Sequence, residues 1–424
     1  MILANGILYD TKEQNKVLDG LKDKLTATLT GAPLERETVV NAFDSLGKDL
    51  AAGKLNDLID SIDLDGKDYY LDMMGDMMSR KFLEDKIALE LYSDLKGSDR
   101  IKTKQIPLGV IFHIAAGNMD VLPIVSIAEG LLAGNINILK LPQADSGLTI
   151  KALKILIDRE PRLKDHIYVF DTPSSDIATM QKLADLSDGI SVWGGDEAVK
   201  AVRQMSRPGT RLIEWGHKLG FAYISGFEDK ENELKSLAEH IMLTKQLLCS
   251  SCQVIYIDTD KYEDAVAFAE EFISYLENAA LKYPVTELGG VAELTLRRYA
   301  ERIDRHISSE DPSTDNDKII RGKSTSITVK KDSKLELSYM YGNVIVKPLP
   351  SDNIASVLRD SKEYLQTAGL ICEPDKRESL SELIYRCGLE RVTRAGHMSE
   401  FFKGEAHDGE YPLARYSRFV NIEY

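Results

Sequence analysis

The sequence predicts an α/β protein of two domains, the first built on a doubly wound parallel sheet, and three observations carry that expectation. From Leu108 to Ile224, short β-branched runs alternate with segments of helical period, the order that parallel strands and crossover helices demand. The runs are apolar throughout, which suits strands covered on both faces. At 424 residues the chain is too long for one core, so two domains of ordinary size are expected.

Residues 1 to about 100 read as polar and helical, with apolar positions at three- and four-residue spacing in Lys16–Lys24, Arg36–Ala52 and Tyr69–Leu95. A strand Leu108–Ile114, a turn Ala115–Asn118, a helix from Asp120 to Ala133 and a strand Ile136–Leu141 then form a βαβ unit. Gly134-Asn135 closes its helix as a C-cap. The alternation continues through helix Ser146–Asp158, strand Ile167–Phe170, helix Ser175–Leu186, strand Ile190–Trp193, helix Asp196–Met205 and strands near Arg211–Glu214 and Phe221–Ile224. A helix Asp229–Leu243 leads to Cys249 and a strand Val254–Ile257, and strands and helices alternate again to about Thr393. Domain bounds are thus expected at 1–225 and 226–396, followed by an irregular tail, 397–424, that packs back on the first domain or on a partner subunit. Ser308–Lys323 reads as an exposed loop.

Lys plus Arg total 53 against 68 Asp plus Glu, a net charge of −15, and that field repels a phosphodiester backbone, so nucleic acid is excluded as a partner. An anionic ligand must instead be held by local devices such as helix N-termini and single lysines. The N-terminus shows no export signal, which points to the cytoplasm. The apolar stretch Ile106–Pro142 is interrupted by His113, Asn118, Asp120, Pro123, Glu129 and Asn135, and reads as core rather than a membrane span. The four cysteines have neither metal-ligand spacing nor the density of a disulfide scaffold, so they are read as thiols and no metal is expected.

Cys249 lies between a helix and a strand, where a loop presents sulfur to a cleft, and is the candidate nucleophile; a small buried hydrophobe is the plain alternative. Cys252 is either a resolving thiol or a structural residue. Asn118, in a turn at the carboxyl end of a strand, offers an amide donor to an oxyanion, although Gly-Asn is also a common turn dipeptide. Lys140 ends a strand and can reach the ribose or 2′-phosphate of a dinucleotide, or be simply solvated. Trp193-Gly194-Gly195 joins a strand to a helix N-terminus, and its glycines would let a pyrophosphate approach. Glu214 ends an apolar strand, where a raised pKa would suit a general base and a surface carboxylate is the alternative. His217 and His407 are read as structural.

In this order and spacing the segments resemble the aldehyde-dehydrogenase superfamily. Pro107-Leu-Gly-Val-Ile to Gly-Asn118 is similar to its P-x-G-V…P-W-N segment, Leu132-Ala-Gly134-Asn135-Ile-Asn-Ile-Leu-Lys140 to A-G-N-x-x-x-x-K, and Ile213-Glu214-Trp-Gly216-His-Lys218 to L-E-L-G-G-K, with Cys249 at the catalytic cysteine. Ala116 replaces the usual tryptophan and Gly-Gly-Asp-Glu stands where Gly-Ser/Thr motifs are common. These departures, with Cys249-Ser-Ser, Val192-Trp-Gly-Gly195, Arg394-Ala-Gly396 and His407-Asp-Gly409-Glu-Tyr-Pro-Leu413, resemble LuxC-type long-chain acyl-CoA reductases; Cys252 stands where that subgroup has proline. The resemblance implies an acyl-CoA reductase, or acylating aldehyde dehydrogenase, of an aldehyde-dehydrogenase-like fold. Its first domain would bind NADPH or NADH through Lys140, Trp193, Gly194 and Gly195. Its second would form a thioester on Cys249, with Asn118 and the Cys249 backbone N–H at the oxyanion and Glu214 either orienting groups or serving proton transfer to the thiol. The substrate would be an acyl-CoA or other acyl thioester, with coenzyme A as leaving group and a fatty aldehyde as product. The resemblance also implies a homodimer or homotetramer, served by an acyl-delivering enzyme. An oxidising aldehyde dehydrogenase uses the same residues in reverse, and a thioester-handling acyltransferase subunit needs only the nucleophile; nicotinamide binding separates the last from the others.

Overall fold

Apolar runs bounded by helical segments become two seven-stranded sheets in the computed structural model, which describes residues 1–60, 67–92, 100–116, 122–143, 145–308, 317–400 and 404–423. The chain divides into one unit of Met1–Gly216 with Phe402–Tyr424 and a second of His217–Phe401.

In the first unit the strands are β1 (Ile2–Ala4), β2 (Ile7–Tyr9), β3 (Ile101–Pro107), β4 (Val110–Ile114), β5 (Ile136–Lys140), β6 (Ile167–Phe170), β7 (Gly189–Trp193) and β8 (Arg211–Trp215). The sheet order is β2-β1-β6-β5-β4-β7-β8, parallel from β6 to β8. The chain therefore steps outward from β4 to β6 and then returns to β7 on the other side of β4. That reversal places a topological switch point at the carboxyl ends of β4 and β7, where such sheets bind ligands. Successive residues of a strand face opposite sides. Leu139 joins a core with Val39, Phe43 and Leu46 of helix Arg36–Ala51, and with Ile124, Ile127 and Leu131 of helix Leu122–Leu132. Ile138, its neighbour, joins Leu21, Met180, Leu183 and Val202 from helices on the other face. Filling both faces with such residues is worth about 1.5–3 kcal/mol for each fully buried side chain.

The second unit holds β9 (Leu219–Ser225), β10 (Cys252–Ile257), β11 (Lys318–Arg321), β12 (Ser326–Val329), β13 (Asn343–Pro348), β14 (Leu365–Cys372) and β15 (Arg391–Arg394), ordered β11-β12-β13-β10-β9-β14-β15. All pairs are parallel except β11 with β12. Helices Lys230–Thr244 and Tyr262–Lys282 cover one face through Leu237, Ile241, Phe272 and Leu276. Phe221, Tyr223, Val254 and Tyr256 pack on the other with Leu358, Leu380 and Ile384.

Four expectations are corrected. The strand near Phe221–Ile224, expected to end the first domain at residue 225, is β9; it pairs with β10 on one edge and β14 on the other, so the second unit begins at His217. The N-terminal region is not all helix, because β1 and β2 form a hairpin through Asn5 and Gly6, both with positive φ, and extend the first sheet antiparallel to β6. The tail is not irregular: β16 (Ser417–Glu423) pairs along its length with β3 in a separate two-stranded sheet of the first unit. The Ser308–Lys323 loop contains β11 within its described part.

Candidate active site

Helix Lys230–Thr244 starts at Asp229, whose carboxylate accepts from the Asn232 amide, and ends at Lys245 with φ 51°. Gln246 follows at φ 63°. Two adjacent left-handed residues with side chains cost roughly 1–2 kcal/mol each, so surrounding structure must hold them. The Lys245 carbonyl accepts from the Tyr341 amide at 3.0 Å, and its ammonium pairs with Glu287. Gln246 is fully buried; its Nε2 donates to the Cys252 carbonyl at 3.0 Å and to Ser338 Oγ at 2.9 Å, and its Oε1 accepts from the Gly342 amide at 3.2 Å. Gln253 completes the lock, donating to the Gln246 carbonyl at 2.8 Å and accepting from the Ser338 hydroxyl at 2.7 Å.

Between the two glutamines the chain makes a tight turn, with the Ser251 amide donating to the Leu248 carbonyl and Leu248 donating to Ser251 Oγ. Gly220 of β9 admits this turn: a Cβ there would lie 2.7 Å from the Ser251 carbonyl oxygen and 2.8 Å from that of Ser250. A register shift between Cys252 and Val254 marks an extra residue in β10 at the same place, a device that re-aims neighbouring side chains. Cys249, at the tip, is exposed, whereas Cys252, Cys372 and Cys387 are buried and none of the four is in a disulfide. Cys252 is the first residue of β10 rather than ahead of it, and burial pushes its thiol up to about 12. Burial also raises Cys372 and Cys387. A thiol must be reachable and ionisable to act as a nucleophile, and Cys249 is the cysteine with access.

In the first unit, Lys140 is 4% exposed at the end of β5, its Nζ donating to Ser174 Oγ at 2.9 Å. Burial lowers its pKa, opposed by the charge of Asp171. It is thus not a solvated strand-end lysine. Trp193 ends β7 at the switch point and stacks on Trp215 at 5.2 Å, with the His407 ring 4.9 Å from Trp193 and 5.1 Å from Trp215. The buried Trp193 Nε1 has no hydrogen-bond partner among the described residues. Gly195 caps helix Asp196–Met205 and a Cβ there would meet open space. The first turn of that helix carries Asp196 and Glu197, however, so the helix N-terminus is less suited to a pyrophosphate than its glycines suggest. Glu214 departs furthest from expectation. Arg203 donates to both of its oxygens, at 2.6 and 2.7 Å, and a carboxylate held in a bidentate pair is engaged before any proton arrives. Asn118 lies outside the described residues. His217 packs edge-on against Tyr364 at 6.1 Å.

A family model described as acyl-CoA reductase (LuxC) matches residues 32–419. The chain belongs to the acyl-CoA reductase (LuxC) family. It is 24% identical over 341 residues to the long-chain acyl-protein thioester reductase of Aliivibrio fischeri, a match covering 76% of this chain and 65% of that one. With the protein of the same name from Vibrio harveyi it shares 24% over 365 residues, covering 82% and 72%. The matched part thus spans about two thirds of these relatives. Among solved structures, NADP-dependent glyceraldehyde-3-phosphate dehydrogenase from Bacillus halodurans superposes with a TM-score of 0.71 at 16% identity, over 100% of this chain and 98% of that one. A 3,6-anhydro-L-galactose dehydrogenase superposes with 0.66 at 14% identity, over 97% and 92%. The LuxC-family chain therefore has the aldehyde-dehydrogenase-like α/β fold.

Sequence reasoning missed Gln246, Gln253, Ser338, Ser174 and Arg203, which hold the candidate residues without carrying a motif. A positive-φ glutamine has no signature, since left-handed turns are ordinarily marked by Gly or Asn. Among the described residues no group of His, Cys, Asp and Glu could hold a metal ion and no helix is long and apolar enough to cross a membrane.

Proposed function

We propose that this protein is a nicotinamide-dependent reductase of long-chain acyl thioesters, which carries the acyl group on Cys249 and releases an aldehyde. The single observation that carries this reading is the Cys249 turn: an exposed thiol that follows two left-handed residues locked by buried glutamine hydrogen bonds. Family membership supports the reaction class. The matching relatives are named for acyl-protein thioesters and the family for acyl-CoA, so the carrier is an acylated protein or coenzyme A.

The Cys249 sulfur attacks the acyl carbon, and the C–S bond to the carrier breaks as the carrier thiol leaves. The family resemblance suggests the Cys249 backbone amide and Asn118 as the two donors to the oxyanion. Bound NADPH or NADH supplies the hydride that reduces the acyl group. For that cofactor the first unit offers Lys140 with Ser174 at the end of β5, the orphaned indole donor of Trp193, and the open face above Gly195. These fit ribose hydroxyls and a nicotinamide or phosphate oxygen as donors, while Asp196 and Glu197 oppose a deeply seated pyrophosphate. With Arg203 on Glu214, no carboxylate is free at that position to activate water, which favours reduction over hydrolysis of the acyl-enzyme.

The test is anaerobic mixing of the protein with NADPH or NADH and a panel of acyl-CoA and acyl-protein thioesters, following absorbance loss and aldehyde, beside Cys249→Ala. Cysteine-dependent aldehyde formation supports the reading and ranks the carriers. Thiol release with no nicotinamide consumption overturns it in favour of an acyltransferase.

A further inference from the structure

We propose that His397, oriented by Glu400, is the acid–base partner of the Cys249 thiol. This role rests on the reading of Cys249 as the nucleophile.

Three observations converge. Ser250 Oγ and Ser399 Oγ are hydrogen-bonded at 2.8 Å, which docks the segment two residues from His397 against the residue next to Cys249. That segment is rigid. A Cβ on Gly369 of β14 would lie 2.6 Å from the Ala395 Cα, and one on Gly396 would lie 1.6 Å from Ser236 Oγ of the helix that leads to Cys249; Arg391 Nη1 holds the Met398 carbonyl at 2.9 Å. Finally, His397 Nδ1 is 2.7 Å from Glu400 Oε1. A carboxylate only accepts, so Nδ1 carries the hydrogen and Nε2 keeps its lone pair. That is the arrangement in which a third group fixes the tautomer of an imidazole that serves a nucleophile.

Among the described residues, the titratable and charged groups that the contacts place beside the His397 segment are Glu400 on that segment, Arg391 on β15 and His240 on helix Lys230–Thr244. His240 cannot take the role itself: it is 5% exposed, and burial first, then the charges of His397 and Arg391, hold it down to about 4. His397 is open to solvent on one side, as entry of an acylated carrier requires.

The protons balance. Nε2 takes the proton of the Cys249 S–H; the Sγ–acyl bond forms and the acyl–carrier C–S bond breaks; the imidazolium then protonates the leaving thiolate. After hydride transfer, collapse to the aldehyde breaks the Sγ–C bond, and His397 relays a solvent proton back to sulfur.

The experiment is the pH profile, from pH 5 to 10, of Cys249 alkylation by iodoacetamide in the whole protein, read at the peptide, for wild type, His397→Asn and Glu400→Gln. Thermal melting confirms that each variant is folded. Expected is a wild-type inflection below that of an isolated thiol. His397→Asn should slow alkylation at pH 7 at least about tenfold and move the inflection to the ordinary thiol range near 8.5, and Glu400→Gln should slow it about threefold. With acyl thioester, kcat should fall in parallel while KM holds. A His397→Asn profile that overlays wild type overturns the proposal. If that variant does not fold, a wild-type inflection at the ordinary thiol value with an unchanged Glu400→Gln profile overturns it instead. Absence of an acyl adduct on Cys249 after incubation with both acyl-CoA and acyl-protein thioester sinks the nucleophile reading; the alkylation profiles, which need no substrate, tell that failure apart from a failure of the His397 contact.

Discussion

At the carboxyl end of β7 the chain turns into a helix through Gly194-Gly195, with open space above Gly195 and two stacked indoles beside it. At the amino end of β10 it turns through Lys245 and Gln246, both left-handed and neither glycine, and two buried glutamine amides tie the turn to Ser338 and Gly342. The first turn obtains its shape from residues that tolerate it. The second obtains its shape against local preference, by burying hydrogen bonds that would go unmade in any other arrangement. A glycine turn leaves room for a ligand, whereas an amide-locked turn holds one atom in place. That division suits the roles proposed for the two turns, a surface for a cofactor and a residue for an acyl carbon.

The comparison breaks most sharply at Cys249. Cys249→Ala should lower acyl-enzyme formation and aldehyde release on the order of a thousandfold or more, while Cys252→Ala should leave turnover within about threefold and lower stability by roughly 1–2 kcal/mol for the methylene-sized volume lost. Intact mass after acyl thioester treatment and a urea melt measure both. A Cys252→Ala variant as dead as Cys249→Ala would mean the pair works as a redox couple, contrary to the buried, raised thiol of Cys252.

Next in size is the lock. Gln246→Ala strands the Cys252 carbonyl, the Gly342 amide and one bond of Ser338 in a buried site, at a cost of about 2–4 kcal/mol. It should also release the strained turn, so that activity falls further than the melting temperature alone explains. Gly195→Ala is the matched change in the other turn, and it should cost under about 1 kcal/mol because its φ is extended and its Cβ meets nothing. Equal losses in the two variants would erase the distinction.

What could be read from the chain follows the same line. The βαβ order, the C-cap at Gly134 and the helix Asp196–Met205 were legible because periodicity and glycine report on the backbone directly. The glycine turn at 194–195 was legible for that reason too, and Cys249 because a cysteine between a helix and a strand stands out. The amide lock was not, since Gln246, Gln253 and Ser338 become neighbours only when β10 and the 338–342 loop meet, and polar residues at such positions look like ordinary loop. The same holds for Arg203, eleven residues from Glu214, whose guanidinium pairs with that carboxylate. β9 was assigned to the wrong domain because a buried parallel strand has the same composition in either sheet; only its partners β10 and β14 distinguish them.

A smaller effect separates the units by pH. His113 in β4 is fully buried and burial lowers it to about 4, its bond to Asn137 opposing the shift only in part; in the second unit His240 behaves alike. An unfolded histidine binds its proton near pH 6.5, so below that value the unfolded state takes up protons that the folded state refuses. The stability contributed by each neutral ring is therefore whole above about pH 6.5 and is lost as pH falls toward 4, up to about 3 kcal/mol for each. Urea midpoints at pH 7 and pH 5 should differ for wild type. His113→Gln should flatten the difference for the first unit alone and His240→Gln for the second. A slope unchanged in both variants would place the acid sensitivity in other groups.

The smallest expected effect is the one that tests the reassigned carboxylate. Glu214→Gln keeps the size of the side chain and removes the charge that pairs with Arg203, a residue whose side chain is 62% exposed. Solvent screening holds the stability cost to about 1 kcal/mol or less. If Glu214 only anchors the end of β8 to the helix Asp196–Met205, turnover should fall less than about tenfold and its pH profile should keep its shape. A general base would be missed far more, by about a hundredfold to ten-thousandfold, and the limb of the pH profile that it governs would vanish. Steady-state rates from pH 5 to 9 for this variant beside Arg203→Met distinguish the two cases, because freeing Glu214 by removing its arginine should raise hydrolysis of the acyl-enzyme to the acid only if the carboxylate can reach water there.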